Sequence, residues 1–200
     1  MTEHIEIRWI RVGIVGGLCA SILYPALLLA PLPLPIAAAV ASFLGPAIGL
    51  CSLGLHRLIK LHGHSVTAAL GAVSNIVAGG LFTAMVLVQL AVRARAPERA
   101  SDLVGVWLGL DVAWDIYIGL GTLAFGWAMW RHPRFGWPFS AVGLLLGLLV
   151  IVLNLIPFPT PPASAGSFDI GPFVGVWYLA VTIQVWRSLS WARERCGSTA

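Results

Sequence analysis

Charge is what this chain has least of: Asp, Glu, Lys and Arg together make up 10% of its residues, against about 25% in soluble globular domains. That scarcity excludes an ordinary water-soluble fold. A formal charge of +4 and a pI near 9.4 would suit a nucleic-acid binder, but the basic residues stand singly or in pairs between apolar blocks, with no long basic face. Nucleic acid is therefore excluded as a partner, and the basic excess reads as membrane orientation. Cysteine is as sparse. Cys19 and Cys51 fall inside apolar blocks, Cys196 lies in the C-terminal tail, and no CxxC or His–Cys spacing occurs. Zinc and dithiol chemistry lose their ligands, and the three thiols read as small apolar side chains. Histidine is missing from the middle of every apolar block, which excludes bis-histidine haem and di-iron centres; no HExxH is present for a metalloprotease. Serine proteolysis lacks a buried histidine, and aspartyl proteolysis needs acids converging from separate helices. No catalytic residue and no cofactor is nominated.

Apolar residues are present in abundance, at 58% of the chain, with a mean hydropathy of +0.90. At about 20 residues per crossing, they divide into six segments, about 10–30, 35–58, 66–92, 103–130, 137–156 and 170–190. The expected fold is all-α: a polytopic membrane protein, one domain over 1–200, forming a compact bundle of six transmembrane helices. Pro31, Pro33 and Pro35 break the chain between the first two spans, and "RHPRFGWP" breaks it between the fourth and fifth. The first run is too long for a signal-peptide core and lacks a clean cleavage site, so it is read as a retained helix. Ser65, Ser101 or Asp102, and Asp169 stand where helix N-caps are wanted. Glycine pairs four apart, at Gly13/Gly17, Gly45/Gly49, Gly105/Gly109, Gly143/Gly147 and Gly171/Gly175, suit close helix packing in lipid.

Two acids break the apolar pattern. In "GLDVAWDIYIGLG" Asp111 and Asp115 lie one helical turn apart, on the order of 13 and 20 Å beyond the start of their span at 1.5 Å per residue. Trp107, Asp111, Trp114 and Asp115 share a face that cannot look at lipid, because an acid at the helix centre costs about 2.5–3.5 kcal/mol even on the lenient insertion scale. No Lys or Arg occupies the middle of any span. The available partners are neutral: Asn75 and Thr83, Asn154, Tyr178, Thr182 and Gln184, Ser21 and Tyr24. Burial without a cation disfavours the charged form, so the pair is expected to keep at least one proton near neutrality. Asp111, Asp115, Trp107, Trp114, Asn75 and Asn154 are thus the candidate site, and no metal is assigned to it. Its function would be to bind or translocate a proton, a cation or a small polar solute. The alternative is a structural or regulatory subunit whose polar residues only join helices, and which acts through a partner protein or a second copy of itself. Asn75 and Asn154, taken singly, fit helix bonding better than ligand binding.

The fourth helix "WDIYIGLG", the short basic turn after it and the "GLLLGLL" fifth helix resemble, in layout, uncharacterised bacterial six-helix integral membrane proteins of this size. That resemblance implies the six-span fold and no activity. Size, span number and the "ALLLA" step at Ala26 and Ala30 are similar to the substrate-binding subunits of energy-coupling vitamin transporters, with no ligand residue to carry over.

Orientation follows from the basic residues in short connections. With the N-terminus cytoplasmic, that side carries Arg8, Arg11, Arg57, Lys60, Arg131, Arg134, Arg187, Arg193 and Arg195, and the other only Arg93, Arg95 and Arg99. Trp9, Trp130, Trp137, Trp186 and Trp191 mark the same side, as interfacial indoles do. The expected location is the plasma (inner) membrane, with both termini cytoplasmic. A membrane-impermeant thiol reagent should label a cysteine placed at Ala165 from outside, and one at Ser198 only after permeabilisation. The reverse pattern would overturn the orientation.

Overall fold

The computed structural model describes residues 2–63, 65–95, 98, 100–158 and 169–197. Seven α-helices follow one another with no strand among the described residues: α1 Thr2–Leu29, α2 Leu34–Lys60, α3 Val66–Arg95, α4 Ala100–Met129, α5 Gly136–Leu155, α6 Gly171–Arg187 and α7 Leu189–Gly197. Five of them, α1 to α5, are long and apolar enough to cross a membrane. The expected sixth, about 170–190, is instead a 17-residue α6 followed by a separate α7. The break has a polar cause. Arg134, in the turn between α4 and α5, donates from Nε to Ser188 Oγ at 3.1 Å and from Nη2 to the Arg187 carbonyl at 3.2 Å, while Ser188 Oγ donates back to Gln184 O. The chain turns at the residue where an arginine takes up the last carbonyl of α6 and the hydroxyl of the next residue.

The other boundaries depart less from expectation. α1 begins at Thr2, not near residue 10, because its first turns pack Ile7 and Ile10 against the end of α2 and pair Glu6 with Arg57 at 3.0 Å. α4 begins at Ala100, so Ser101 and Asp102 fall inside the helix and not at its cap. Ser65 does cap α3, its Oγ accepting the Ala68 N–H at 3.1 Å. Asp169 accepts the Gly171 N–H at 2.9 Å, one residue earlier than the Ile170 cap position.

Consecutive helices from α1 to α5 pack side by side, and α6 returns to lie against α1, α5 and α2. Glycine sets how closely they approach. A Cβ at Gly13 would stand 2.5 Å from Gly54 Cα, one at Gly79 2.6 Å from the Gly45 carbonyl oxygen, and one at Gly147 2.7 Å from that of Gly119. These are backbone-to-backbone contacts that no side chain could share. Gly105 and Gly109 have nothing within 4 Å of such a Cβ, so that step of the glycine pattern is not a helix contact. Outside the bundle the surface is apolar, with Val15, Ile22, Phe43, Val66 and Leu145 all exposed. In water so continuous an apolar surface would be untenable; against lipid it is the expected finish.

The start of α1, the turns after α2 and α4, and α7 gather at one end. There His132 is buried at 2% exposure, its ring 5.4 Å from those of His62 and Trp191. Its Nδ1 accepts the Arg134 N–H at 3.3 Å, which leaves the ring proton on Nε2. Burial, with His62 beside it, holds the His132 imidazole down at about 4. The exposed indoles of Trp9, Trp130, Trp137 and Trp186 belong to the same end.

Two predictions follow from this packing. Gly13→Ala should destabilise the bundle by about 1–3 kcal/mol through overpacking, whereas Gly109→Ala should be neutral or slightly stabilising through helix propensity; denaturation in mixed micelles measures both. Because His132 binds its proton more weakly folded than unfolded, stability should fall as pH drops from about 6.5 toward about 4. His132→Gln should flatten that slope; an unchanged slope would place the acid sensitivity elsewhere.

Candidate functional site

Three helices meet at a hydrogen-bonded node on α6. Asn75, on α3 and fully buried, donates its two amide hydrogens to Ser52 Oγ on α2 at 2.8 Å and to Tyr178 OH on α6 at 2.7 Å. Thr122 on α4 already gives its hydroxyl hydrogen to the Ile118 carbonyl at 2.7 Å, so the 3.2 Å contact between Thr122 Oγ1 and Tyr178 OH has the phenol as donor. The chain thus runs in one direction, from amide to phenol to hydroxyl to backbone, and joins α2, α3, α4 and α6. Asn75 has room because its neighbours on α4 and α3 are Gly121 and Gly71, whose own contact leaves no space for a side chain. Asn75 and Tyr178, expected to face the acids, bond to each other.

Above this node lies a cavity of about 420 Å³ between α1, α2, α4 and α6, walled by residues such as Ala20, Tyr24, Leu44, Trp114, Ile118 and Val174, with Ser52 and Tyr178 at its polar spot. That volume is within the range of small-molecule sites. Tyr24 and Trp114 are braced by Phe82 of α3, at ring separations of 6.1 and 5.0 Å.

The acids lie beside this cavity and not in its lining. Asp111 and Asp115 are half-buried on α4; Asp111 acts electrostatically on Asp115, Asp169 at the head of α6 acts on both, and all three act on the Tyr24 phenol. Among the described residues, the charged groups acting on the two α4 acids are other acids. Asn154 of α5 reaches the Asp115 carboxyl. Its Nδ2 donates to Val150 O at 2.9 Å, and its Oδ1 is buried with no partner. Among the described residues no three His, Cys, Asp or Glu side chains converge closely enough to hold a metal ion.

Of the six residues nominated from sequence, Asp111, Asp115 and Asn154 therefore form one group and Trp114 lines the cavity next to it. Trp107 packs with Phe82, Met85 and Val86 toward the same end, and Asn75 lies at the inner node. The sequence reading missed Asp169 as a third acid, having assigned it only to a cap. It also missed Tyr24 as the link between the acids and the cavity, since Tyr24 appeared as one neutral candidate among several. The signal for Asp169 was available: a cap at the head of α6 places it at the end of the bundle where α4 begins, near Asp111 and Asp115. The loop "PFPTPPASAGSFDIGP", read from sequence as a semi-rigid lid, lies mostly outside the described residues.

No family model, curated protein or solved structure matches the chain.

Removing either member of the central bond strands its partner in an apolar interior. Asn75→Ala and Tyr178→Phe should each destabilise the bundle, and the double variant should show a coupling of about 0.6–1.7 kcal/mol, the span measured for interhelical hydrogen bonds in lipid. Additive effects would mean that the two side chains do not bond.

Proposed function

We propose that this chain is a six-span plasma-membrane protein with cytoplasmic termini, and that the cavity beside Asp111, Asp115 and Asp169 binds a small solute carrying positive charge. For the sixth span, α6 is about 26 Å long at 1.5 Å per residue, close to the roughly 30 Å hydrocarbon core. It packs inside the bundle through Trp177 and Val181. For the orientation, the exposed indoles and the basic residues of α7 and the α4–α5 turn share one end.

The observation that carries the binding reading is the uncompensated acid group. Asp111 acts on Asp115, exposed Asp169 acts on both, and all three act on a tyrosine of the cavity wall, with no cation among the described groups that act on the α4 pair. Intramembrane acids are expensive and mark ion or substrate paths by default. The structural alternative accounts for Asn75, whose donors are both used, but not for a set of like charges placed together. Like charges close to one another oppose folding unless a proton or a cationic ligand relieves them. A divalent ion takes six or more oxygen ligands, and among the described residues no three His, Cys, Asp or Glu side chains converge to supply them; an organic cation or a proton suits the acids better.

The test is equilibrium binding and flux in proteoliposomes with methylated amines and with a pH gradient. Asp115→Asn and Asp111→Asn should each weaken amine binding at least about tenfold, equivalent to 1.4 kcal/mol. Unchanged binding and flux in both variants, with the fold intact, would leave only the structural role.

A further inference from the structure

The cavity wall, its opening and its charged end differ sharply in chemistry, and together they define a ligand. Along the seam between α1 and α6 the helices touch at Gly17, whose position admits no side chain against Thr182 and Cys51; by Gly175, a Cβ would meet nothing nearer than Tyr24 Cδ1 at 3.9 Å. One turn further on, at Gly171, the Tyr24 hydroxyl closes in again, 3.0 Å from where a Cβ would stand; the seam opens beside Gly175, at the end that carries the acids. Leu28, Leu29 and Val176 at this opening line the cavity and are 54%, 83% and 66% exposed. An opening bordered by exposed apolar side chains, in a bundle whose outer surface is apolar throughout, faces lipid.

Inside, the wall is almost wholly apolar. Its few polar groups are mostly engaged: the Tyr178 phenol donates to Thr122 and accepts from Asn75, Ser52 Oγ accepts from Asn75, and Ser21 Oγ donates to the Gly17 carbonyl. A hydrated ion or sugar would find too few groups here to replace its water, and stripping a polar group without compensation costs about 1–3 kcal/mol even on protein-derived scales. The far end is the opposite. Tyr24 and Trp114 present aromatic rings, which attract cations and recognise quaternary ammonium heads. Behind them stand the three acids, and next to Asp115 the buried, unpartnered Oδ1 of Asn154.

We infer that the ligand is a cationic amphiphile, with an apolar body that fills the cavity and a compact ammonium-type head turned toward Tyr24, Trp114 and the acids, and that it is admitted from the bilayer through the gap between α1 and α6. The inference rests on the cation-binding reading and adds to it the ligand class and the route. Neither end of such a molecule would suit the site alone: a neutral amphiphile leaves the acids uncompensated, and a small hydrophilic cation leaves the apolar wall unfilled.

The experiment uses the full chain in lipid nanodiscs and a diazirine-bearing decyltrimethylammonium probe, with photolabelled peptides mapped by mass spectrometry and competitors compared at equal mole fraction in the bilayer. Labelling should map to α1 and α6 around Ser21 and Val174. Decyltrimethylammonium should compete at concentrations at least about tenfold below those needed for decyl sulfate, decanol or tetramethylammonium. Gly175→Trp and Leu29→Trp should block labelling; Leu29, at 83% exposure, tolerates the change without disturbing the bundle. Asp115→Asn should remove the preference for decyltrimethylammonium over decanol. If tetramethylammonium competes as well as the decyl compound and neither tryptophan variant has an effect, while Asp115→Asn weakens both cations, the amphiphile and the lipid route are overturned and the cation site stands. If Asp115→Asn changes no competitor, the cation site is overturned as well.

Discussion

In hydrocarbon, a polar side chain can be satisfied only by another protein group, and one such arrangement, the bond between Asn75 and Tyr178, holds the interior in place. Much of what lies above and below it is apolar surface that lipid would accept equally well, which supplies packing but little directional preference, with single side-chain bonds such as Thr83 to the Ala41 carbonyl and Ser140 to the Gly126 carbonyl between neighbouring helices. The Asn75 amide and the Tyr178 phenol supply direction. They tie α6 to α3, and through Ser52 and Thr122 to α2 and α4. With α6 fixed at that level, its outer part can stand away from α1 without leaving the bundle, and the space between becomes the cavity. The glycine contacts act with this bond: Gly71 against Gly121 makes room for Asn75, and Gly13 against Gly54 brings α1 and α2 together at the opposite end from the gap.

The two ends of the molecule use polarity differently. At the end with the exposed indoles, charges are paired and carbonyls taken up: Glu6 with Arg57, and Arg134 with Ser188 and the end of α6. His132 is kept neutral by burial there, and its ring serves as packing surface for His62, Phe135 and Trp191. At the other end, like charges are gathered, and among the described residues no cation acts on the α4 pair. A bundle stabilised only for its own sake would not be built in that way, and this contrast supports reading the first end as foundation and the second as site.

How much of this could be read from the residues alone depended on how local the signal was. Hydropathy and proline placement located α2 to α5 within a few residues and the end of α1, because each span carries its own apolar run; the first turns of α1, polar in sequence, were missed. The end of α6 was not legible: "VWRSLSWARER" has no proline or glycine before Gly197, and the break at Ser188 comes from Arg134, more than fifty positions away. The position of Asp111 and Asp115 one turn apart in the fourth helix was legible, and both are half-buried there. The environment they turn into was not legible. Asn75 and Tyr178 look like suitable partners for an acid on any list of buried polar residues, and only the packing of α3 against α6 shows that they are already occupied with each other. Among the glycine pairs, Gly105/Gly109 has the same spacing as Gly143/Gly147, yet one faces open space and the other meets α4 and α6. Spacing records a permitted contact, and the neighbouring helix decides whether it is made.

The central claim is that the interior of the bundle communicates with lipid, not with water, on the side where α1 and α6 part. A nitroxide attached at Ser21, in the cavity wall, reports both routes at once when its relaxation is measured in nanodiscs against dissolved oxygen, which concentrates in hydrocarbon, and against a water-soluble nickel chelate. The account predicts ready collision with oxygen, close to that of a label on exposed Leu28, and almost none with the chelate. Strong collision with the chelate would show an aqueous path to the acids and would contradict the account; isolation from both relaxants would show a sealed interior and contradict it equally.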